Sequence, residues 1–568
     1  MKINNAPNDV KTAISESKKT FYFTAFISLF INLLMLVPPL YMLQLYDRVL
    51  ASRSEETLLM LTLIVIALFV VMGLLEFVRS RILIRVANRV DARLSDRLFE
   101  CMFALANRFP SRTSAQPLND LSQIRQFLGG TPLFAFFDAP WIPIYIAILF
   151  LFHPWFGWFG VVAIIIVMAL TLMNEIRTKK GIENSSKLFQ SSQSFILSSL
   201  RNSEVIEAMG MHEQIRNRWK KHYHGFLSEH SSASDEAGVW SNASKLIRIL
   251  MQSLILGLGG YLAIISEVTP GMMMAGSLIL GRALAPLDLM TNTWKQFTSA
   301  RLAYSRLGQL MHDFPQQEPK TSLPAPKGRL SIENLTLVPP DSKIPSLHNL
   351  SFEIAAGETI GIIGPSAAGK SSLARALIGI WSPSGGNVRI DGALIDHYER
   401  SELGKYIGYL PQDIELFEGS VSENIARYAI PDPDKVIEAA QLCGVHEMIL
   451  KLPQGYDTPI GIGGASLSGG QRQRIGLVRA VYNYPRIVVL DEPNSNLDDV
   501  GERALLNTIT ELKKRSITVI LITHRPAILG ITDKILLLRE GVLQLYGSRN
   551  EVLTALSQKT TLPESTQP

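Results

Sequence analysis

The chain has 568 residues, of which 47% are hydrophobic and only 18% charged, with a net charge of +5. Such a length is too great for one core and implies roughly two to four domains, while a mean hydropathy of +0.17 is unusual for a soluble protein. The two cysteines, Cys101 and Cys443, lie far apart and indicate neither a disulfide framework nor a zinc site.

The apolar residues concentrate in the first 300 or so positions, in runs long enough to cross a bilayer, which takes ~20 helical residues. After a cytoplasmic segment at 1–20, six spans are expected. They run from Phe21 to Leu43, Leu58 to Val78, Leu133 to Phe152, Trp155 to Met173, Ile247 to Ile265 and Gly271 to Met290. A signal peptide has a short core and a small-residue cleavage site. The run from Phe21 is too long for that and continues into LVPPLYMLQLYDRVL, so no cleavage is expected.

Orientation follows from Lys and Arg, which are enriched on the cytoplasmic side. Lys11, Lys18 and Lys19 precede the first span. The loop after the second carries Arg79, Arg81, Arg85, Arg89, Arg93, Arg97, Arg108, Arg112 and Arg125, and the loop after the fourth is equally basic. The links after the third and fifth spans have no Lys or Arg; Arg48 and Arg53 in the first external loop are a mild exception. The N-terminus, both long loops and the C-terminal half are therefore expected inside. Arg81 to Arg97 recur every four residues beside Ile82, Val86, Val90 and Leu94, as in an amphipathic helix extending the second span. No aromatic residues interleave with the arginines, which argues against nucleic acid as a partner. Pro117 to Phe127 and Leu200 to Met211, near the middles of the two loops, are nominated as helices contacting the C-terminal half.

Residues 21–311 thus form a membrane region, and the Pro-rich stretch 312–327 reads as a linker. From 328 to 556, strand-like and helix-like runs alternate as in a doubly wound α/β domain. The polar tail 557–568 is expected to be disordered.

The chemistry sits in that second half. After the apolar run Thr359 to Ile363 comes GPSAAGKS, Gly364 to Ser371, which matches a phosphate-binding loop. Gly364 and Gly369 allow the turn that points backbone N–H groups at phosphates, Lys370 reaches the β- and γ-phosphates, and Ser371 binds Mg²⁺. LSGGQ, Leu467 to Gln471, precedes a strand-like run ending in Asp491-Glu492. Asp491 is placed to hold the same metal, and Glu492 to take a proton from an attacking water. Alone, such an acidic pair is more often a loop or helix start, and a lone His524 after Thr518 to Ile522 a core or surface residue. The motifs in this order reverse those odds.

Together they resemble the ATPase domain of ATP-binding cassette (ABC) proteins. The fold so implied is an all-α six-span transmembrane domain of ABC exporter type, followed by an α/β P-loop nucleotide-binding domain with a helical subdomain. The resemblance implies that ATP and Mg²⁺ are bound by Gly364, Pro365, Ser366, Ala367, Ala368, Gly369, Lys370, Ser371 and Ser372. It also implies that Ser468, Gly469, Gly470 and Gln471 face the nucleotide of a second copy. Gln412 looks like the residue that senses Mg²⁺, Asp498 like the D-loop aspartate, and His524 like the switch histidine at the γ-phosphate. One set of six spans with one ATPase domain looks like a half-transporter, completed most simply by a homodimer.

YMLQLYDRVLASRSEETL, PLNDLSQIRQFLGG, FFDAPWIPIYIA, GRALAPLDL and DEPNSNLD look like the type I secretion ATPases of Gram-negative bacteria, in the protease and lipase exporter (PrtD-like) group. This implies an inner-membrane location, a periplasmic adaptor, an outer-membrane channel and an unfolded substrate with an uncleaved C-terminal signal. With only about 20 residues before the first span, the N-terminal peptidase of some bacteriocin exporters is not expected. The sequence departs from the family at Pro339, where an aromatic residue often stacks on adenine, at Ala367 in place of a third glycine, and at Ile462 in place of a glutamate. A lipid or drug exporter of the same architecture and a soluble ABC ATPase are the alternatives, the six spans opposing the second. Arg282, deep in the sixth span, is expected either to line the substrate path or to pair structurally, with Asp288 or a polar group on another span.

Overall fold

The computed structural model describes residues 9–110, 113–316, 320–464 and 466–560, without the side chains of 462 and 557–560. Arg112, the Ile462 side chain, part of the N-terminal segment and of the linker, and residues 561–568 of the tail lie outside the described residues. Two compact units divide the chain at Gln316 and Gln317, with the short stretch from Leu105 grouped in the second.

Six helical segments of the first unit are long and apolar enough to span a membrane. They are Lys18–Ser52, Glu55–Arg108, Pro132–Phe152, Pro154–Arg201, His212–Ile264 and Pro270–Asp313. Each expected span lies inside one of them, except that the fifth overruns its helix by Ile265, but four helices run far past the apolar stretch. The second continues through the arginine-rich segment, where Leu83, Val86, Val90, Leu94 and Leu98 are buried. The first bends: a π-turn at Leu45–Val49 puts Asp47 against the start of the sixth helix, where Gly271 N–H donates to it at 2.8 Å.

Two elements differ from expectation. Asp9–Glu16, within a segment expected only to precede the spans, is a helix whose Val10 and Ala13 pack with Ala87, Val90, Leu94 and Leu98. Arg97 ties it down, pairing with Asp9 at 3.4 Å and donating to the Phe314 carbonyl. The tail expected to be disordered from 557 is helical as far as Thr560, as the end of Arg549–Thr560. The nominated segment 117–127 lies in the helix Gln116–Gly129, which buries Leu121, Ile124 and Leu128 in the first unit's own core beside Ala303 and Leu307. The other nominated segment forms Ser203–Ala208, with Leu200, Val205 and Met209 exposed.

The second unit is built on two sheets. An antiparallel sheet joins β1 (Leu330–Leu337), β2 (Leu347–Ile354), β4 (Gly385–Ile390) and β5 (Ala393–Leu394) in the order β2-β1-β4-β5. The other holds β3 (Thr359–Ile363), β6 (Ile407–Leu410), β9 (Ile487–Asp491), β10 (Thr518–Ile522), β11 (Lys534–Arg539) and β12 (Val542–Ser548). Its order is β12-β11-β3-β10-β9-β6, parallel except for β12. β9 and β10 are buried at every position, as strands covered on both faces must be. A small antiparallel pair, β7 (Gly419–Ser420) with β8 (Pro459–Ile460), accompanies a helical group of Val421–Ile425, Pro433–Leu442, His446–Leu450 and Gly469–Val481, whose core includes Ile425, Val436, Ile449 and Val478.

Candidate nucleotide site

Ligands of open α/β sheets bind beyond the carboxyl ends of the strands. Register places the candidate residues there. Ile522 of β10 lies opposite Ile362 of β3 on one side and Asp491 of β9 on the other. The phosphate loop, the Asp491-Glu492 pair and the Thr523-His524 turn therefore leave the sheet side by side. Leu410 of β6 pairs with Leu490, so Gln412 emerges next to them.

The loop between β3 and the helix Lys370–Leu377 is held by close backbone approach. A Cβ on Gly364 would meet the Leu538 carbonyl oxygen at 2.1 Å, and one on Gly369 the Ser346 oxygen at 2.7 Å. Both glycines are therefore required. Ala367, by contrast, adopts φ +63°, the left-handed region that costs a side chain free energy. Lys370 Nζ donates to the carbonyls of Gly364 and Pro365 at 2.8 and 2.9 Å, closing the loop into a ring. Burial pushes the Lys370 pKa down, and the charges of Glu492 and Asp491 oppose that shift.

Asp491 is buried, and neither carboxylate oxygen meets the geometry of a hydrogen bond with a described residue. Burial raises its pKa above 3.8, Glu492 adds to the rise, and Ser371, Arg375 and Lys370 oppose it. A buried carboxylate beside a serine hydroxyl suits a hard divalent cation. Glu492, at φ +49°, is pinned by its N–H to the Ile522 carbonyl at 2.9 Å. Gln412 Nε2 donates to Glu492 Oε2 at 3.1 Å. His524 is exposed at the end of β10.

Ser468 caps the helix Gly469–Val481: Gln471 N–H donates to its hydroxyl at 3.3 Å, and Gln471 Oε1 accepts from Ser468 N–H at 2.9 Å. That reciprocal box satisfies two backbone donors at the start of the helix. A Cβ on Gly470 would meet the Asn496 carbonyl at 2.8 Å, whereas one on Gly469 would meet nothing closer than 3.8 Å. Asp498 caps the helix Asp499–Lys514 through Gly501 N–H at 2.9 Å and pairs with Arg474. Gly470 and Arg474 thus tie the start of this helix to Asn496 and Asp498, while the space beside Gly469 stays open.

Gln473 escaped the sequence reading. It is 1% exposed; its Nε2 donates to the Glu492 carbonyl at 3.2 Å, and its Oε1 accepts from Ser495 Oγ at 3.2 Å and Asn496 N–H at 3.0 Å. The available signal was a polar residue on the inward face of a helix, in line with Leu477 and Ala480 at helical spacing.

The model of the "ABC transporter" family matches residues 347–495, and that of the "ABC transporter transmembrane region" matches 21–284. The chain is 39% identical over 547 residues to the type I secretion system ATP-binding protein PrsD of Rhizobium meliloti (strain 1021), covering 96% of this chain and 94% of that one. It is 30% identical over 554 residues to the leukotoxin translocation ATP-binding protein LktB of Mannheimia haemolytica, covering 95% of this chain and 77% of the relative. Among solved structures, a bacterial Atm1-family ABC exporter with ATP bound shares the fold, with a TM-score of 0.81, 24% identity and coverage of 97% and 99% of the two chains.

Proposed function

Because the chain belongs to the ABC transporters, among the type I secretion ATP-binding proteins, we propose that it works as a homodimer in the bacterial inner membrane, passing an unfolded polypeptide to a periplasmic adaptor and an outer-membrane channel. It is a multi-pass membrane protein that binds nucleotide, an ATPase and an ATP-driven protein exporter. One observation carries the catalytic reading. Lys370, Asp491, Glu492 and Gln412 converge beyond one row of strand ends, on a chain with six spanning helices.

In this reading the backbone from Gly364 to Ser372 cradles the phosphates at a helix N-terminus. Lys370, now closing the loop, turns to the terminal phosphates. Asp491 and Ser371, with Gln412, would hold Mg²⁺, which when bound offsets phosphate charge. Glu492 accepts the proton of the attacking water, and His524 contacts the γ-phosphate. Ser468, Gly469, Gly470 and Gln471 complete the site of the second copy, so neither copy works alone. Substrates are unfolded proteins bearing a C-terminal signal.

Secretion and translocation relatives favour protein export over lipid or drug export. The test is secretion reconstituted with the adaptors and candidate substrates encoded beside this gene. ATP-dependent appearance of one such protein outside is expected. Turnover stimulated by small amphiphiles, with no protein exported, would overturn the reading.

A further inference from the structure

The helix Pro270–Asp313 has two contrasting faces. Ile279, Leu280, Ala283, Leu284 and Leu287 are at most 1% exposed. Leu278, Arg282, Ala285, Leu289, Asn292 and Gln296 form the other face, half-buried or exposed. Steps of three and four residues place them on one stripe. The second spanning helix exposes a different kind of stripe, with Leu59, Leu63, Ile66, Val70 and Leu74, suited to lipid. A face bearing arginine, asparagine and glutamine is not suited to lipid.

Arg282 lies twelve residues past Pro270, about 18 Å along the helix at ~1.5 Å per residue and so near the middle of a ~30 Å hydrocarbon core. No hydrogen bond or ion pair reaches its guanidinium from the described residues. Asp288, one of the expected structural partners, is held instead by Arg248 at 2.5 Å and Ser244 at 3.0 Å. Asp138 is held by Arg79 at 3.0 Å and Asn32 at 2.9 Å, and Asp47 by Gly271 and Thr269. Asp288, Asp138 and Asp47 thus have partners of their own, and Arg282, close enough to act electrostatically on the Tyr145 hydroxyl, brings to this polar stripe a positive charge that no ion pair from the described residues neutralises.

We propose that this stripe is an anion-selecting wall of the export path, where Arg282 takes in turn the side-chain carboxylates of an extended polypeptide. The proposal rests on the exporter reading and names the chemistry that path prefers. In a wet cavity a guanidinium–carboxylate pair is weak and exchanges quickly, which suits a chain in passage.

The test uses the full chain in lipid nanodiscs, with Cys101 and Cys443, both buried, replaced by alanine and Ala285→Cys added one turn from Arg282. Labelling rates are compared for anionic sulfonatoethyl and cationic trimethylammonioethyl methanethiosulfonate, with basal ATP hydrolysis as the control for folding. Both reagents should react, the anionic one favoured several-fold, and Arg282→Gln should abolish that preference. A soluble Gly-Asp repeat peptide should slow labelling, a Gly-Asn repeat should not, and Arg282→Gln should remove the protection. If Ala285→Cys lowers basal hydrolysis, Leu289→Cys serves as the reporter. Labelling by neither reagent, as for a face covered by lipid or by a second copy, would overturn the proposal. So would a charge preference indifferent to residue 282, or equal protection by both peptides. Labelling is read without any secreted substrate, so a failed secretion assay leaves this result standing by itself.

Discussion

Three side chains at the nucleotide site carry conformations or charges that a stable fold alone would not choose. Glu492 is held at φ +49° by a backbone bond on one side and Gln473 on the other. Glu492→Gln should retain ATP binding while phosphate release falls by ~10²–10⁴, the usual contribution of a general base; normal release by the purified variant would remove Glu492 from that role. Ala367→Gly should relieve the left-handed strain at φ +63° and raise stability by about 0.5–1 kcal/mol in thermal unfolding. Asp491 offers a sign test. Its folded pKa lies above the ordinary 3.8, so the fold binds that proton more tightly than the unfolded chain does. The associated stability is present at low pH and is lost as pH rises through the ordinary value to the raised one. At neutral pH and without metal, the ionised carboxylate is a net cost. Asp491→Asn should therefore raise the unfolding temperature in chelator, by ~2–4 °C per kcal/mol relieved in a domain of this size, while losing Mg²⁺-dependent turnover. A lower unfolding temperature in chelator would contradict the assigned strain.

At the scale of elements, the spans legible as apolar runs turn out to be parts of much longer helices. Hydropathy registers the lipid-facing portion only. Beyond it, the second and sixth helices stay helical because an inward stripe, Val90, Leu94 and Leu98 against Ala303 and Leu307, continues to bury apolar surface. Asp120 fastens the helix Gln116–Gly129 to this bundle. It is 2% exposed and accepts from Arg306 at 2.8 and 2.6 Å and from Gln116 at 2.8 Å. Removing a buried acceptor of charged donors costs about 1.5–3 kcal/mol. Asp120→Ala should lower the unfolding temperature in detergent without changing nucleotide affinity; an unchanged unfolding temperature would mean the bonds are replaced by water.

For the molecule as a whole, the open space beside Gly469 and the capped helix behind it are compatible with the proposed role of Ser468 to Gln471 at the nucleotide of a second copy. If each nucleotide lies between two copies, Ser468→Arg abolishes hydrolysis although it leaves its own phosphate loop intact. Mixing Ser468→Arg chains with Lys370→Ala chains should restore part of the turnover, because one composite site then carries both lesions and the other neither. Full activity of Ser468→Arg alone would refute sharing.

The sequence by itself determined six helices apolar enough to cross a membrane, their place ahead of the ATPase half and the ATPase assignment, because each rests on local patterns. A bilayer demands an uninterrupted apolar run, and a phosphate loop demands glycines at fixed spacing before a lysine. Gly364, Lys370, Asp491 and Glu492 could be named before any contact was known. Strand register decided that they meet, since Ile362, Ile522 and Asp491 share one row across strands far apart in the chain. Packing decided what no local pattern encodes. The N-terminal helix at Asp9–Glu16 is too short to stand alone and exists because Val10 and Ala13 join a core built by the second and sixth spanning helices. Gln473 became visible only once the turn after Glu492 folded back over its helix. Asp288 was one possible partner for Arg282 by spacing along one helix. In the fold Arg248, from the preceding helix, occupies it, because ion pairing follows distance in space, and no ion pair reaches Arg282 from the described residues.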